Sequence, residues 1–153
     1  LVIDIIQKNP YQLRYNNNDD IFIHIRSGDI FNNNLENIIP NLDYYIYILN
    51  NYKYKNIFLS SDNINCGLCK YLVNNYSIIV YSEDKIDTVQ FGSTCKYIIL
   101  SSGSYSLLIG LLSFYSRNVF FNENMGKLIK NSSIIEWHPD FFQYIPYDNL
   151  FID

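Results

Sequence analysis

The sequence predicts an α/β fold, a Rossmann-like parallel sheet with helices on both faces. Short apolar segments alternate along the chain with segments of helical spacing, which is the order of a sheet with crossover helices. The short segments are apolar throughout, so both faces of the predicted sheet are covered, and right-handed crossovers make the arrangement doubly wound. The length of 153 residues and the 48% hydrophobic content fit a single domain over residues 1–153.

The predicted strands are runs rich in Ile, Val, Phe and Tyr that end in polar residues. They cover 21–26, 56–62, 77–82, 96–102 and 118–121. Because each is followed or preceded by a helical pattern, all five are expected to run parallel in one sheet.

Helical spacing marks the intervening segments, predicted at 41–52, 66–76, 84–94 and 104–115. The first follows Pro40 and has its apolar positions three and four residues apart at Leu42, Tyr45, Ile46 and Leu49. The third is predicted to bury Ile86, Val89 and Phe91. The fourth is predicted from Leu107, Leu108, Leu111, Leu112 and Tyr115. The tail from Lys127 to Asp153 is predicted to be irregular and to pack back across the domain.

Composition excludes several classes of protein. The net charge of −4 and pI near 5.0, without a stripe of Lys and Arg, argue against nucleic acid as a partner. No run approaches the roughly 18 apolar residues of a transmembrane helix, and the start of the chain does not resemble a signal peptide. Three cysteines are an odd set for a disulfide framework, so reduced thiols and a cytoplasmic location are expected.

Polar residues collect where the predicted strands end. These ends read "HIRSGD", "LSSDN", "YSED" and "LSSGSYS". Ligands of doubly wound sheets bind beyond the carboxyl ends of the strands, so these segments are the candidate site.

His24 and Arg26 are two residues apart in a strand and therefore project from the same face. A guanidinium at a strand end pairs well with phosphate oxygens and would neutralise a departing diphosphate. The alternative is structural, in which Arg26 forms an ion pair with a carboxylate and His24 is a hydrogen-bonded core residue.

Two further strand ends carry candidate ligand-binding groups. The Ser/Gly turn at 101–104 precedes an apolar helix, whose free N–H groups suit a phosphate; the alternative is an ordinary serine cap. Asp62 follows another strand and suits a base edge or a ribose; the alternative is an Asx turn or a helix cap.

Other reaction classes have weaker sequence signals. "CGLC" at 66–69 has the spacing of a thioredoxin-type or metal-binding motif, but no Trp precedes it and further ligands are remote. The sequence has no G-x-S-x-G elbow, Walker A motif or G-x-G-x-x-G. No metal site is predicted.

Taken in order, the motifs resemble a known family. "HIRSGD" resembles the H-x-R-R-G-D signature of α-1,2-fucosyltransferases and of their α-1,6- and protein O-fucosyltransferase relatives. "FLSSDN" and "CKYIILSSGSYSLLIGLL" resemble the family's S-D strand and its Cys, strand, Ser-rich turn and helix segment. "IIEWHPDFFQYIP" is similar to its closing Pro-x-x-Trp-like stretch. The resemblance covers residues 15 to 147, with Ser27 in place of the second Arg.

The resemblance implies the carboxy-terminal, donor-binding half of a GT-B glycosyltransferase that inverts the anomeric carbon without a metal or other cofactor. Its donor would be GDP-fucose and its acceptor a glycan hydroxyl, with the amino-terminal half missing from this chain. Arg26 would hold the β-phosphate and stabilise the leaving GDP, and His24 would orient the loop or contact the diphosphate. The guanine or ribose would be bound by Asp62 and Asn63. The phosphates would be bound by Ser102, Ser104, Tyr105 and Ser106.

The general base is not identified by the resemblance. Asp29 lies nearest in sequence to the expected site, and Glu36 is a second candidate. Two other functions stay open at this point: a non-catalytic nucleotide-sugar-binding module, and a thiol redox protein built on the C-x-x-C motif.

Overall fold

The protein forms one six-stranded sheet in the order β3-β2-β1-β4-β5-β6. The computed structural model describes residues 9–28, 42–122 and 134–137. The strands are β1 (Ile21–Ile25), β2 (Ile57–Ser61), β3 (Ile78–Val80), β4 (Tyr97–Leu100), β5 (Asn118–Asn122) and β6 (Ile134–Trp137). The first five are parallel, as predicted, and β6 pairs antiparallel with β5.

Helices cover both faces of this sheet. They are α1 (Leu42–Asn51), α2 (Gly67–Asn75), α3 (Lys85–Gly92) and α4 (Ser104–Leu111). The helices α1 and α2 pack with one hydrophobic cluster, and α3 and α4 pack with another. Because β1 to β3 are connected across one face and β3 to β5 across the other, the domain is doubly wound.

β1 is the centre of the core, with every residue buried. Its side chains alternate between the two clusters: Ile21, Ile23 and Ile25 lie on the α1–α2 side, and Phe22 lies on the α3–α4 side. His24 is two residues after Phe22 and therefore faces the same side of the sheet, where it contacts α4. This contact places His24 at the site described below.

One arginine has a structural role. Arg14, the last residue of the 3₁₀ turn Gln12–Arg14, donates to Asp20 at 2.7 Å and lies 4.5 Å from the centroid of the Phe91 ring. The carboxylate of Asp20 is 6% exposed, so this pair is well shielded from solvent. Arg14 thereby fastens the segment before β1 to α3.

The structure corrects three details of the prediction. The tail was predicted to be irregular, but it contributes the strand β6. Its four residues, two Ile, one Glu and one Trp, are too short a pattern to distinguish a strand from a loop. Ile86 is 53% exposed on α3, whereas Val89 and Phe91 are buried as predicted. α4 ends at Leu111, so Tyr115 lies beyond it in the connection to β5. Within the described residues, no helix has both the length and the apolar character needed to cross a bilayer.

Candidate functional site

The candidate site lies where the strand order reverses. β1 and β4 are hydrogen-bonded neighbours, but the chain leaves them for opposite faces of the sheet. This leaves a crevice beyond their carboxyl ends, which is the ordinary ligand position in such folds. The segments that follow β1, β2 and β4 are the polar segments that the sequence analysis selected.

His24 is buried and joined to α4. Its exposed fraction is 5%, and its Nδ1 shares a hydrogen bond of 2.5 Å with the hydroxyl of Ser106. The Ser106 hydroxyl also lies 3.4 Å from that of Ser101, and the Tyr105 ring packs edge-on with its centroid 5.0 Å from that of His24. The imidazole therefore ties the end of β1 to the first turn of α4.

The charge of His24 is set by its burial. Desolvation by burial is the main cause that lowers the pKa of His24 to about 4. The nearby charge of Asp62 raises the pKa and that of Arg26 lowers it, each by less than burial does. In the unfolded chain the ordinary value of 6.5 applies, so acid protonates the unfolded state first. His24 is neutral at pH 7, and its contribution to stability is lost as the pH falls from 6.5 towards 4.

Arg26 lies against the turn that precedes α4. Its backbone N–H donates to Ser101 Oγ at 2.9 Å. Its guanidinium packs over Gly103: a Cβ built on residue 103 would lie 2.7 Å from Nη1 of Arg26 and 3.1 Å from its Cδ. Gly103 has φ +88° and ψ 160°, a conformation that is essentially restricted to glycine. Position 103 therefore needs glycine for two reasons: its backbone conformation, and the space that the Arg26 side chain occupies.

The first turn of α4 is open to an anion. Gly103 is the N-cap and no side chain caps the helix, so its first N–H groups have no partner within the helix. The hydroxyl of Ser102 is 2% exposed and, among the described residues, has no hydrogen-bond partner. Ser104 is exposed at the helix start. The Arg26 guanidinium over Gly103, the first N–H groups of α4 and two serine hydroxyls are therefore all found at the turn around Gly103.

Tyr105 and Ser106 occupy different positions from those expected of direct ligands. The Tyr105 hydroxyl donates to the carbonyl of Lys85 at 2.5 Å, which holds α4 to α3. Ser106 is fully enclosed and hydrogen-bonded to His24. Their contacts fix the geometry of the turn, and Ser104 is the exposed residue among the four that were predicted to contact the phosphates.

Asp62 caps the loop after β1. Its carboxylate accepts from the backbone N–H of Ser27 at 2.7 Å and from that of Gly28 at 3.1 Å. The side chain is exposed, so its remaining lone pairs face solvent. Asn63 lies beside Gly28, since a Cβ on Gly28 would be 3.9 Å from the Asn63 Cβ. Asp62 therefore holds the backbone that follows β1, whereas the N-cap of α2 is Cys66. Binding of a base or a ribose by Asp62 stays a prediction.

Several predicted residues cannot be placed. Asp29 and Glu36 lie outside the described residues, so the identity of the base is untested.

Ser27, which stands at the second Arg of the motif that "HIRSGD" resembles, is fully enclosed, and its hydroxyl has no partner within the described part of the chain.

Two contributors escaped the sequence analysis. The predicted turn at 101–104 includes both Ser101 and Gly103, but no role toward Arg26 is predicted for either. Ser101 accepts from the Arg26 N–H, and Gly103 leaves the space that the Arg26 side chain occupies. The signal available for Gly103 was its place between a strand and an apolar helix, where a positive φ is common.

The "CGLC" thiols are part of the core. Cys69 is fully buried and burial raises the pKa of Cys69 to about 12, so its reactive thiolate is absent at neutral pH. The Cys66 sulfur accepts from the Cys69 N–H at 3.4 Å as the cap of α2. This geometry argues against a thioredoxin-type site. The residues described contain no group of three or more His, Cys, Asp or Glu side chains arranged to hold a metal.

The fold is shared with solved fucosyltransferases. The NodZ α-1,6-fucosyltransferase co-crystallised with GDP superimposes with a TM-score of 0.51 at 11% identity, over 90% of this chain and 47% of that chain. The fucosyltransferase NodZ from Bradyrhizobium gives 0.52 at 10% identity, also over 90% and 47%. The chain shares the α/β Rossmann-like fold of about half of each of these fucosyltransferases.

At this level of identity the likeness establishes the fold alone. The chain spans about half the length of the solved structures it matches. No protein-family profile and no curated protein sequence matches this chain. Any function must therefore be argued from the site itself.

Proposed function

We propose that this chain is the donor-binding part of an inverting, metal-independent fucosyltransferase that uses GDP-fucose. The observation that carries the proposal is Arg26, whose guanidinium lies over Gly103 at the uncapped start of α4. The arginine side chain and the first N–H groups of α4 are thus brought together at the edge of the sheet where the strand order reverses, between β1 and β4. The same fold occurs in a fucosyltransferase co-crystallised with GDP, which favours a diphosphate there.

The proposed reaction is a single displacement at the anomeric carbon. An acceptor hydroxyl attacks the face opposite GDP, the bond from fucose to the β-phosphate oxygen breaks, and its electron pair leaves with GDP. Arg26 stabilises the charge that develops on the diphosphate, the task that a metal performs in other transferases. Neutral His24 and its bond to Ser106 position Arg26 and α4. Asp29 is the candidate base that accepts the acceptor's proton.

Calorimetric titration with GDP tests the binding step. The chain should bind GDP without added Mg²⁺ and in the presence of a chelator, and it should bind ADP and UDP more weakly. The control matched to Arg26 variants is Arg117→Gln, because Arg117 is an exposed arginine immediately before β5, at the other end of the sheet. This control should bind GDP as the unmodified chain does. Equal affinity for all three nucleotides removes the guanine assignment, and no response at millimolar GDP removes the site.

A non-catalytic nucleotide-sugar-binding module is the second candidate, and Ser27 favours it. The family signature has an Arg at this position, so one possible phosphate contact is missing. Turnover separates the two candidates. In the longest form of the protein that releases fucose from GDP-fucose, Arg26→Ala should lower turnover by about 10²-fold, the scale for losing one such donor. If no form of the protein releases fucose although GDP-fucose binds, the non-catalytic module is supported instead.

A further inference from the structure

A second charged surface lies at the opposite end of the sheet, among the residues that immediately precede the strands. Lys55 precedes β2, Lys96 precedes β4 and Arg117 precedes β5. With Lys53 they line a cleft of about 860 Å³. A neighbouring cleft of about 640 Å³ is lined by Lys55, Lys96 and Arg117 as well, so the two form one groove. We call it the amino-end groove.

The groove is basic although the chain is acidic. Four of the eleven Lys and Arg residues line it, and among the described residues of its lining Asp19 is the one carboxylate, in a chain of net charge −4. Asp19 is already paired with Lys96. Within the described ranges, Lys53, Lys55 and Arg117 have no carboxylate partner. Clustered like charges without counter-charges favour an anionic ligand.

The base of the groove is held by backbone hydrogen bonds. The Lys55 N–H donates to the Asp19 carbonyl at 2.7 Å, and the Arg117 N–H donates to the Lys96 carbonyl at 2.7 Å. The Asn18 side chain joins the two pairs, since it accepts from the Lys96 N–H at 3.1 Å and donates to the Thr94 carbonyl at 2.9 Å. The cations therefore project from a fixed ledge across β2, β1, β4 and β5, about 14 Å wide at ordinary strand spacing.

The remaining lining indicates the chemistry of the ligand. No aliphatic side chain is among the described residues that line either cleft, although the chain has 24 isoleucines. Tyrosine rings and asparagine amides line it instead; Tyr54 is half-buried and Tyr115 is 53% exposed. Ring faces suit the apolar faces of sugars, and amides suit their hydroxyls. A peptide would instead need pockets for apolar anchors.

We propose that the amino-end groove binds an acidic oligosaccharide, in which the cations contact carboxylates and Tyr115 contacts a ring face. This site is separate from the GDP site and does not rest on the proposed transferase activity. An elongated ledge with repeated cations fits a chain of acidic sugars better than a single small anion.

Calorimetry with two charge-matched probes tests this. Hexagalacturonate and hexaglutamate with an acetylated amino end and an amidated carboxyl end each carry six carboxylates, but only the first has sugar rings. Maltohexaose, which is neutral, and hexathymidylate, which carries phosphates, complete the set. Hexagalacturonate should bind more tightly than all three, with an affinity that falls as salt is raised. Equal or tighter binding of hexaglutamate or hexathymidylate overturns the saccharide assignment, and so does the absence of binding.

Variants locate the site. Lys55→Gln with Arg117→Gln should weaken hexagalacturonate binding by about 3–10-fold, as expected for two exposed ionic contacts. Lys70→Gln, an exposed lysine on α2, is the matched control and should change nothing. Tyr115→Ser should weaken the binding of hexagalacturonate but not that of hexaglutamate. Because the Tyr115 ring also packs against Tyr15, with 4.9 Å between centroids, both affinities are compared per folded molecule. GDP affinity should be the same in all of these variants; equal losses in the Lys70 control overturn the proposed location.

Discussion

Gly103→Ala is the substitution that separates the backbone of the candidate site from its charge. At φ +88° and ψ 160°, alanine costs about 1–3 kcal/mol of folding free energy. Its Cβ would lie 2.7 Å from Nη1 of Arg26, so the guanidinium must move. Because a hydrogen bond to a charged group contributes about 1.5–3 kcal/mol, the displaced cation should lower GDP affinity about 10–100-fold.

The matched control is Gly67→Ala. A Cβ on Gly67 has no heavy atom within 4 Å, and the residue begins α2, away from the site. Its stability should be unchanged or raised by a few tenths of a kcal/mol. Urea unfolding gives the stability of each variant, and calorimetry gives its GDP affinity per folded molecule.

A double-mutant cycle then tests whether Gly103 acts through Arg26. If it does, the loss of affinity in Gly103→Ala with Arg26→Ala should be far smaller than the sum of the two single losses. The reasoning is refuted if Gly103→Ala binds GDP as well as Gly67→Ala does, or if the two losses add.

Three further predictions concern stability and the thiols. His24 should make the protein acid-sensitive: between pH 8 and pH 5 the wild type should lose about 2 kcal/mol more unfolding free energy than His24→Gln, because the unfolded chain takes up the proton first. Equal acid losses in urea titrations would show that the imidazole is not buried and neutral. Gly92→Ala should cost about 1–3 kcal/mol by overpacking, since its Cβ would lie 2.6 Å from the Phe22 ring; a stable variant would contradict that packing. Cys66→Ser with Cys69→Ala should leave GDP affinity per folded molecule intact, and loss of binding or a stoichiometric zinc signal would restore a chemical role for these thiols.

Much of the fold could be predicted because the apolar pattern decides it. β1 reads Ile-Phe-Ile-His-Ile, a run that only a doubly covered strand can bury, and its carboxyl end marks the site. The edge strand β6 could not be predicted, because a strand that pairs on one side needs no long apolar run. The exposure of Ile86 also depends on which face of α3 meets the sheet, which a helix of eight residues specifies weakly.

The candidate site was predicted by its residue types but not by its contacts. Sequence does not distinguish Arg14, which pairs with Asp20 in a structural bond, from Arg26, which lies over Gly103 at the switch point. The role of Ser106 likewise depends on a contact across 82 residues with His24. The amino-end groove is invisible in the sequence, because its cations are separated along the chain and meet only when the strands align.

The most direct test of the central claim is the GDP affinity and the melting temperature of Arg26→Ala, measured on the same sample. The account predicts a folded variant, with a melting temperature within a few degrees of wild type and GDP binding weakened at least about tenfold. Arg26→Lys should recover only part of the affinity, because lysine keeps the charge but loses the planar fork. A lower melting temperature with unchanged GDP affinity per folded molecule would make Arg26 a structural residue and contradict the account.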